Sequence, residues 1–298
     1  MSQVIIWQPG QKLYGGRYTI ERELGSGGFG ITYLARDNQG NQVVIKTLNE
    51  KSQKRSDFEN IKGYFRNEAT RLGYCKHRHI VRIENVFNEG HLPCIVMEYI
   101  KGETLMKYVE NRGALLESEA LQYIQQIGDA LAFIHLKGIL HRDVNPNNII
   151  VRSGQSEAVL IDFGTAKEFI PYVTQLYTQI YMHGFSPPEQ YDRQGKLGDY
   201  TDVYALAATL YYLLTGKVPS PACNRGIRDE LIPPKQHNPS ISDTVNDAIL
   251  KGMALDAKVD AKEKRSQSVD EWLRLLSSPE EIRLQTKNDW GLLISQIM

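Results

Sequence analysis

The sequence predicts an α+β protein of two lobes, a small β-rich one followed by a larger helical one. Three observations lead there. Short β-branched or alternating runs, punctuated by turn residues, fill most of the first hundred positions. After residue 115 the apolar residues step by three or four instead. The length of 298 residues suits one large domain or two tightly joined lobes.

The first strands are Tyr18-Thr19-Ile20-Glu21-Arg22-Glu23-Leu24, Ile31-Thr32-Tyr33-Leu34-Ala35 and Gln42-Val43-Val44-Ile45, separated by glycines or by Asn-Gln-Gly-Asn. One helix interrupts them, from Phe58 to Gly73, with Phe65, Ala69 and Leu72 at helical spacing. A longer helix carries Leu121, Ile124, Ile127, Leu131 and Ile134, and Gly138 stands where a left-handed residue ends a helix. Val203–Leu214 is the longest apolar stretch and reads as a buried helix with Gly216 behind it; it is far short of a membrane span. Ser268-Val269-Asp270-Glu271 forms a capping box for a last helix, with Trp272, Leu275 and Leu276 on its apolar side.

Composition narrows the function classes. Lys+Arg and Asp+Glu number 35 each and 41% of residues are hydrophobic, as in a soluble globular protein. Zero formal charge offers no long-range pull toward nucleic acid or anionic lipid, so neither is expected as a partner. Cys75, Cys94 and Cys223 are odd in number and form no CxxC, which leaves them as ordinary thiols. The first residues show no basic and apolar secretory leader, and the expected location is cytoplasmic.

Gly25-Ser26-Gly27-Gly28-Phe29-Gly30 fits GxGxxG, a string shared with dinucleotide-binding folds. A dinucleotide site needs a helix directly after the glycines. Here a β-branched run follows, so the glycines belong to a hairpin whose backbone N–H groups can close over a triphosphate. The plain alternative is a flexible hairpin. Further parts follow in one order: Val43-Val44-Ile45-Lys46, Glu68 on the next helix, His141-Arg142-Asp143-Val144-Asn145-Pro146-Asn147-Asn148, Asp162-Phe163-Gly164 and Ser186-Pro187-Pro188-Glu189.

In that order and spacing the chain resembles the eukaryotic-type (Hanks-type) serine/threonine protein kinases, closest to bacterial, cyanobacterial-type members, over about residues 17–276. The resemblance implies the bilobal protein-kinase fold: an N-lobe over 18–98, a C-lobe over 99–277, an extension over 1–17 and a tail over 278–298. It implies ATP and Mg²⁺ as cofactors and a protein Ser/Thr hydroxyl as acceptor. Lys46 would hold the α/β-phosphates, aimed by Glu68. Asn148 and Asp162 would hold the metal. Asp143 would orient the acceptor hydroxyl and take its proton. Leu24, Thr32, Val44 and Ile150 would line the adenine slot, with Met97 as gatekeeper and backbone groups of Glu98 and Ile100 at the purine edge. Leu72, Ile83, His141 and Phe163 would form the stack that aligns in active members. Asp202 would anchor the catalytic loop, and Glu189 would pair with Arg265. Residues Thr174 and Thr178 are favoured as activating phosphorylation sites, with self-association for autophosphorylation, and the apolar tail is expected to dock on a lobe.

The pattern departs in three places. Asn145 stands where these kinases carry a lysine, Met182 where they carry a threonine bridging that lysine and the aspartate, and Val44 where they usually carry alanine. Losing one donor at a developing charge typically costs 10²–10³ in rate, so the expectation is a slow kinase whose turnover rises on Asn145→Lys. The rival reading is a pseudokinase, an ATP-binding scaffold that signals by conformation. A small-molecule phosphotransferase fits less well, because such enzymes often lack the glycine hairpin and the Pro-Pro-Glu segment.

Overall fold

The computed structural model describes residues 4–162, 184–192, 194–225, 229–256 and 264–276, apart from the side chains of Glu68 and Arg71. They fall into two compact units, one within 1–103, 150–155 and 159–181, the other within 104–149, 156–158 and 182–298.

In the first unit, β1 (Lys12–Leu13), β2 (Tyr18–Ser26), β3 (Gly30–Asp37), β4 (Gln42–Leu48), β5 (Ile83–Glu89) and β6 (Leu92–Glu98) form an antiparallel sheet in the order β1-β2-β3-β4-β6-β5. The period-2 pattern gives it two unlike faces. Ile31, Tyr33 and Ala35 pair across β3 and β4 with Thr47, Ile45 and Val43, and all six are buried. Helix α2 (Phe58–Gly73) lays Phe58, Ile61, Phe65 and Ala69 into the same core, each large side chain contributing about 1.5–3 kcal/mol. Residues 4–17 take part as well: Trp7 and Leu13 are in this core, and the Trp7 ring lies 5.3 Å from that of Tyr33. The short helix α1 (Glu50–Gln53) follows β4. Its Gln53 grips Ile5 by both backbone groups, accepting from the Ile5 N–H at 2.8 Å and donating to the Ile5 carbonyl at 2.9 Å.

Three short strands, β7 (Gly102–Thr104), β8 (Ile149–Arg152) and β9 (Ala158–Leu160), form a second sheet in that order. Any Cβ at Gly102 would strike the Val151 carbonyl, so only glycine fits.

The second unit contains α3 (Leu105–Arg112), α4 (Glu117–His135), α5 (Asp199–Thr215), α6 (Ala222–Arg225), α7 (Pro234–His237), α8 (Asp243–Gly252) and α9 (Val269–Leu275). Helix α5 is buried on every side from Thr201 to Leu214, as its largely apolar run from Val203 requires. Gly138 and Gly216 sit at φ +68° and +66°, and their N–H groups return to the carbonyls of His135 and Tyr212, each at 2.8 Å. Ser268 caps α9 by accepting from the Glu271 N–H at 3.2 Å, but the Glu271 carboxylate accepts from Gln267 rather than from Ser268, at 2.9 Å. The buried face of α9 is Val269, Trp272 and Leu273, because the Trp272 Nε1–H donates to the Ala248 carbonyl at 2.8 Å and turns the helix that way; Leu275 and Leu276 are only half-buried.

Cys75 and Cys94 are buried and Cys223 is exposed, and none of the three is in a disulfide; burial pushes the Cys94 thiol up to about 12. No helix among the described residues is long and apolar enough to cross a membrane.

Candidate active site

The outer face of the first unit's sheet gathers one set of candidate residues. Register places Thr32 opposite Lys46, Gly25 opposite Thr32, and Val44 opposite Met97. Thr32, Val44, Lys46 and Met97 are half-buried, whereas the alternate positions on β4 are buried. Leu24 is more open, at 39% exposure. Met97 and Ile150 pack on a small apolar cluster of Val81, Ile100 and Val159. Lys46 forms an ion pair with Asp162, which sits at φ +53°. A Cβ at Gly30 would press on the Lys46 Cε at 3.1 Å and the Thr47 carbonyl at 3.2 Å, so the glycine leaves the lysine stem its path. Glu68 lies on α2, but its side chain is outside the described residues. The Glu98 carboxylate accepts from the Arg82 N–H at 3.0 Å and meets the Arg152 guanidinium at 3.2 Å, while the Glu98 N–H donates to the Arg82 carbonyl at 3.0 Å.

The second unit holds the loop around Asp143. Asn148 donates from Nδ2 to the Asp143 carbonyl at 2.8 Å and to its carboxylate Oδ2 at 2.9 Å. Asn145 is 1% exposed, and both ends of its amide are used inside the loop. Nδ2 donates to the same Asp143 carbonyl at 2.8 Å, and Oδ1 accepts from the Asn147 N–H at 3.0 Å, capping the turn Pro146–Asn148. It is thus a packed capping residue, not an open vacancy left by a lysine. Beneath the loop, Asp202 on α5 is fully buried and accepts from the His141 N–H at 2.8 Å and the Arg142 N–H at 2.7 Å. Its Oδ2 also meets His135 Nε2 at 2.8 Å. Those bonds hold Arg142 at φ +64°, a conformation that costs a non-glycine residue roughly 1–2 kcal/mol. Burial pushes the Asp202 carboxyl up, but the His135 and His141 partners outweigh it and hold the carboxyl below its usual range. Burial likewise opposes the His135 imidazolium, and the Asp202 bond with the charges of Asp202, Asp199 and Asp270 raises its pKa on balance.

Glu189 and Arg265 meet at 2.6 Å in the same unit. Phe163, Gly164, Thr174, Thr178, Met182 and the tail over 278–298 lie outside the described residues.

A family model described as a protein kinase domain matches residues 18–274. The chain belongs to the protein kinase family. It is 34% identical over 256 residues to a probable serine/threonine-protein kinase of Clostridium perfringens, covering 82% of this chain and 36% of that protein. It is 35% identical over 217 residues to serine/threonine-protein kinase B of Synechocystis, covering 68% of this chain and 38% of that protein. The chain therefore spans little more than a third of either relative. Among solved structures, the apo form of PpkA-294 superposes with a TM-score of 0.75 at 26% identity, over 91% of this chain and 99% of that one. The two-lobed α+β protein-kinase fold is thereby the fold of this chain.

In this kinase domain several contacts were invisible to motif reading. His135, Arg82, Arg152 and Asn49 belong to no short motif, and each acts on a residue distant in sequence. Only Asn49 carried a local signal, as a helix-capping residue type followed by an acidic first turn.

Proposed function

We propose that the domain is an ATP- and Mg²⁺-dependent kinase that transfers the γ-phosphoryl group to serine or threonine hydroxyls of proteins, slowly for its family. One observation carries this reading: Asn148 holds the Asp143 carboxylate directly, on a loop whose backbone Asp202 fixes. Asp143 is then oriented to accept the hydroxyl proton. The donor set suits the cofactors. Asn148 spends its Nδ2 on Asp143 and leaves an amide oxygen, and Asp162 offers a carboxylate, both oxygen donors of the type a hard cation takes. Lys46 would bind the α/β-phosphates, with Glu68 as its orienting partner. Leu24, Thr32, Val44 and Ile150 would enclose the adenine with Met97 as gatekeeper, Glu98 and Ile100 would offer backbone at its edge, and the Gly25–Gly30 hairpin would cover the phosphates. Bound Mg-ATP supplies the phosphoryl group and the metal charge that offsets its oxygens. The lobe limits given above, the cytoplasmic location, self-association and the absence of nucleic-acid or membrane partners stand with this proposal.

Incubation with labelled ATP, Mg²⁺ and a protein acceptor tests it. Label should transfer, and Asp143→Asn should cut the rate by about 10²–10⁴. Equal labelling by both proteins, or none by either, would reject the enzyme.

The scaffold reading draws on Asn145, which places an amide where a cation is usual. Asn145→Lys separates the two. The change trades the cap of the Pro146–Asn148 turn for a charge, so stability should fall by about 1 kcal/mol while kcat rises at nearly constant KM for ATP. Single-turnover kinetics measure this, and a fall in kcat would show that the amide's hold on the Asp143 carbonyl outweighs the missing charge.

A further inference from the structure

The glycine hairpin is fastened from outside its own two strands. Asn49, directly after β4, is 5% exposed, and its amide has two tasks. Oδ1 accepts from the Ser52 N–H at 2.9 Å, capping α1, while Nδ2 donates to the Gly27 carbonyl at 2.7 Å. The Asn49 N–H and the hydroxyl of the buried Ser52 both donate to the Phe29 carbonyl, at 3.0 and 2.8 Å. Inside the hairpin, the Gly27 N–H donates to the Gly30 carbonyl at 2.8 Å. Helix α1 is itself fixed at its far end, where Gln53 donates to the carbonyls of Leu48, at 3.0 Å, and Ile5.

The consequence follows from peptide geometry. No peptide bond here is cis, and the C=O and N–H of a trans peptide point in opposite directions. With the Gly27 and Phe29 carbonyls drawn toward Asn49 and Ser52, the N–H groups of Gly28 and Gly30 are turned the other way. A glycine-rich segment has no side chains to choose that orientation for itself. Backbone N–H groups turned to one side of such a turn are what an anionic phosphate recognises.

We propose that Asn49, assisted by Ser52, is a positioning residue that latches the glycine hairpin in its phosphate-binding orientation and so sets nucleotide affinity. This rests on the nucleotide-binding reading given above.

Asn49→Asp is the discriminating variant. It is nearly isosteric and keeps the oxygen that caps α1, but it replaces the donor to Gly27 with an oxygen. The dissociation constant for a non-hydrolysable ATP analogue with Mg²⁺ should rise about fivefold, the worth of one net hydrogen bond. KM for ATP should rise in parallel, with kcat changed less than about twofold. Hydrogen exchange of the amides at 25–30 should quicken in the nucleotide-free protein, and the melting temperature should fall as well, because the buried carboxylate is left facing the Gly27 carbonyl. Ser52→Ala should shift affinity and exchange the same way by a smaller factor. A lower melting temperature with unchanged analogue affinity would make Asn49 only a helix cap and overturn the proposal. Unchanged exchange at 25–30 would overturn the latch itself. If exchange quickens but the natural chain binds no analogue, the nucleotide reading is what has failed, and the latch's part in affinity falls with it.

Discussion

Arg265→Met should destabilise the domain by about 3–5 kcal/mol, the usual consequence of stranding one partner of a buried ion pair. Arg265 has a fully buried side chain, and Glu189 has one only 10% exposed. The guanidinium reaches the Glu189 carboxylate at 2.6 Å, the Ala254 carbonyl at 2.9 Å and the Tyr200 carbonyl at 3.1 Å, and it lies 4.9 Å from the Tyr204 ring centre. Methionine fills much of the volume but answers none of those acceptors, so the Glu189 charge is left without its counter-ion. Against a typical total of 5–15 kcal/mol this is a large fraction. Denaturant unfolding of the single variant and of Arg265→Met with Glu189→Leu measures it. The double variant should recover part of the loss because no buried charge remains. A single-variant loss below about 1 kcal/mol would mean that water reaches the pair and that its burial counts for little.

Stability should also fall as the pH rises above neutrality, through His135 and Asp202. His135 has a raised pKa in the folded protein, so its charged form contributes fully below the ordinary value of 6.5. That contribution is lost as the pH climbs through the raised folded value. Asp202 has a lowered pKa, so its contribution is present above 3.8 and is lost as the pH falls through the depressed folded value. The pair is therefore most stabilising between those limits. His135→Gln keeps a neutral donor for Asp202 and should flatten the alkaline fall, whereas His135→Phe removes the counter-ion, leaves the carboxylate only its two backbone N–H donors, and should cost about 3 kcal/mol. Unfolding curves from pH 5.5 to 8.5 for the natural chain and the glutamine variant give the comparison. Parallel curves would assign the pH dependence to other groups.

What could be read from the sequence was what local pattern encodes. The runs over β2, β3 and β4, the helix Phe58–Gly73, the apolar α5 and the glycine stops at 138 and 216 all follow from periodicity or backbone preference within a few residues. Motif order singled out Lys46, Asp143, Asn148 and Asp162 as candidates, and the structure pairs Lys46 with Asp162 and Asn148 with Asp143. Long-range pairings were legible only where a family motif carried them, as for Glu189 with Arg265 and Asp202 with the loop at His141. Trp7 and Leu13 carry no period that marks them as core, and Gln53 gives no sign that it will hold Ile5. Asn145 was legible only as a missing charge, because its role as a turn cap depends on the fold of its own loop.

The N-terminal segment bears on where the kinase domain can be cut. The family match opens at residue 18, but the fold opens earlier. Strand β1 is only two residues long, yet it occupies the outer edge of β2. Trimming to residue 18 would empty the places of Trp7 and Leu13 and uncover the Tyr18–Ile20 end of β2. A bare strand end beside newly exposed apolar surface is a template for association with another copy. These few residues thus serve colloidal behaviour as much as folding, covering apolar surface that would otherwise face another copy.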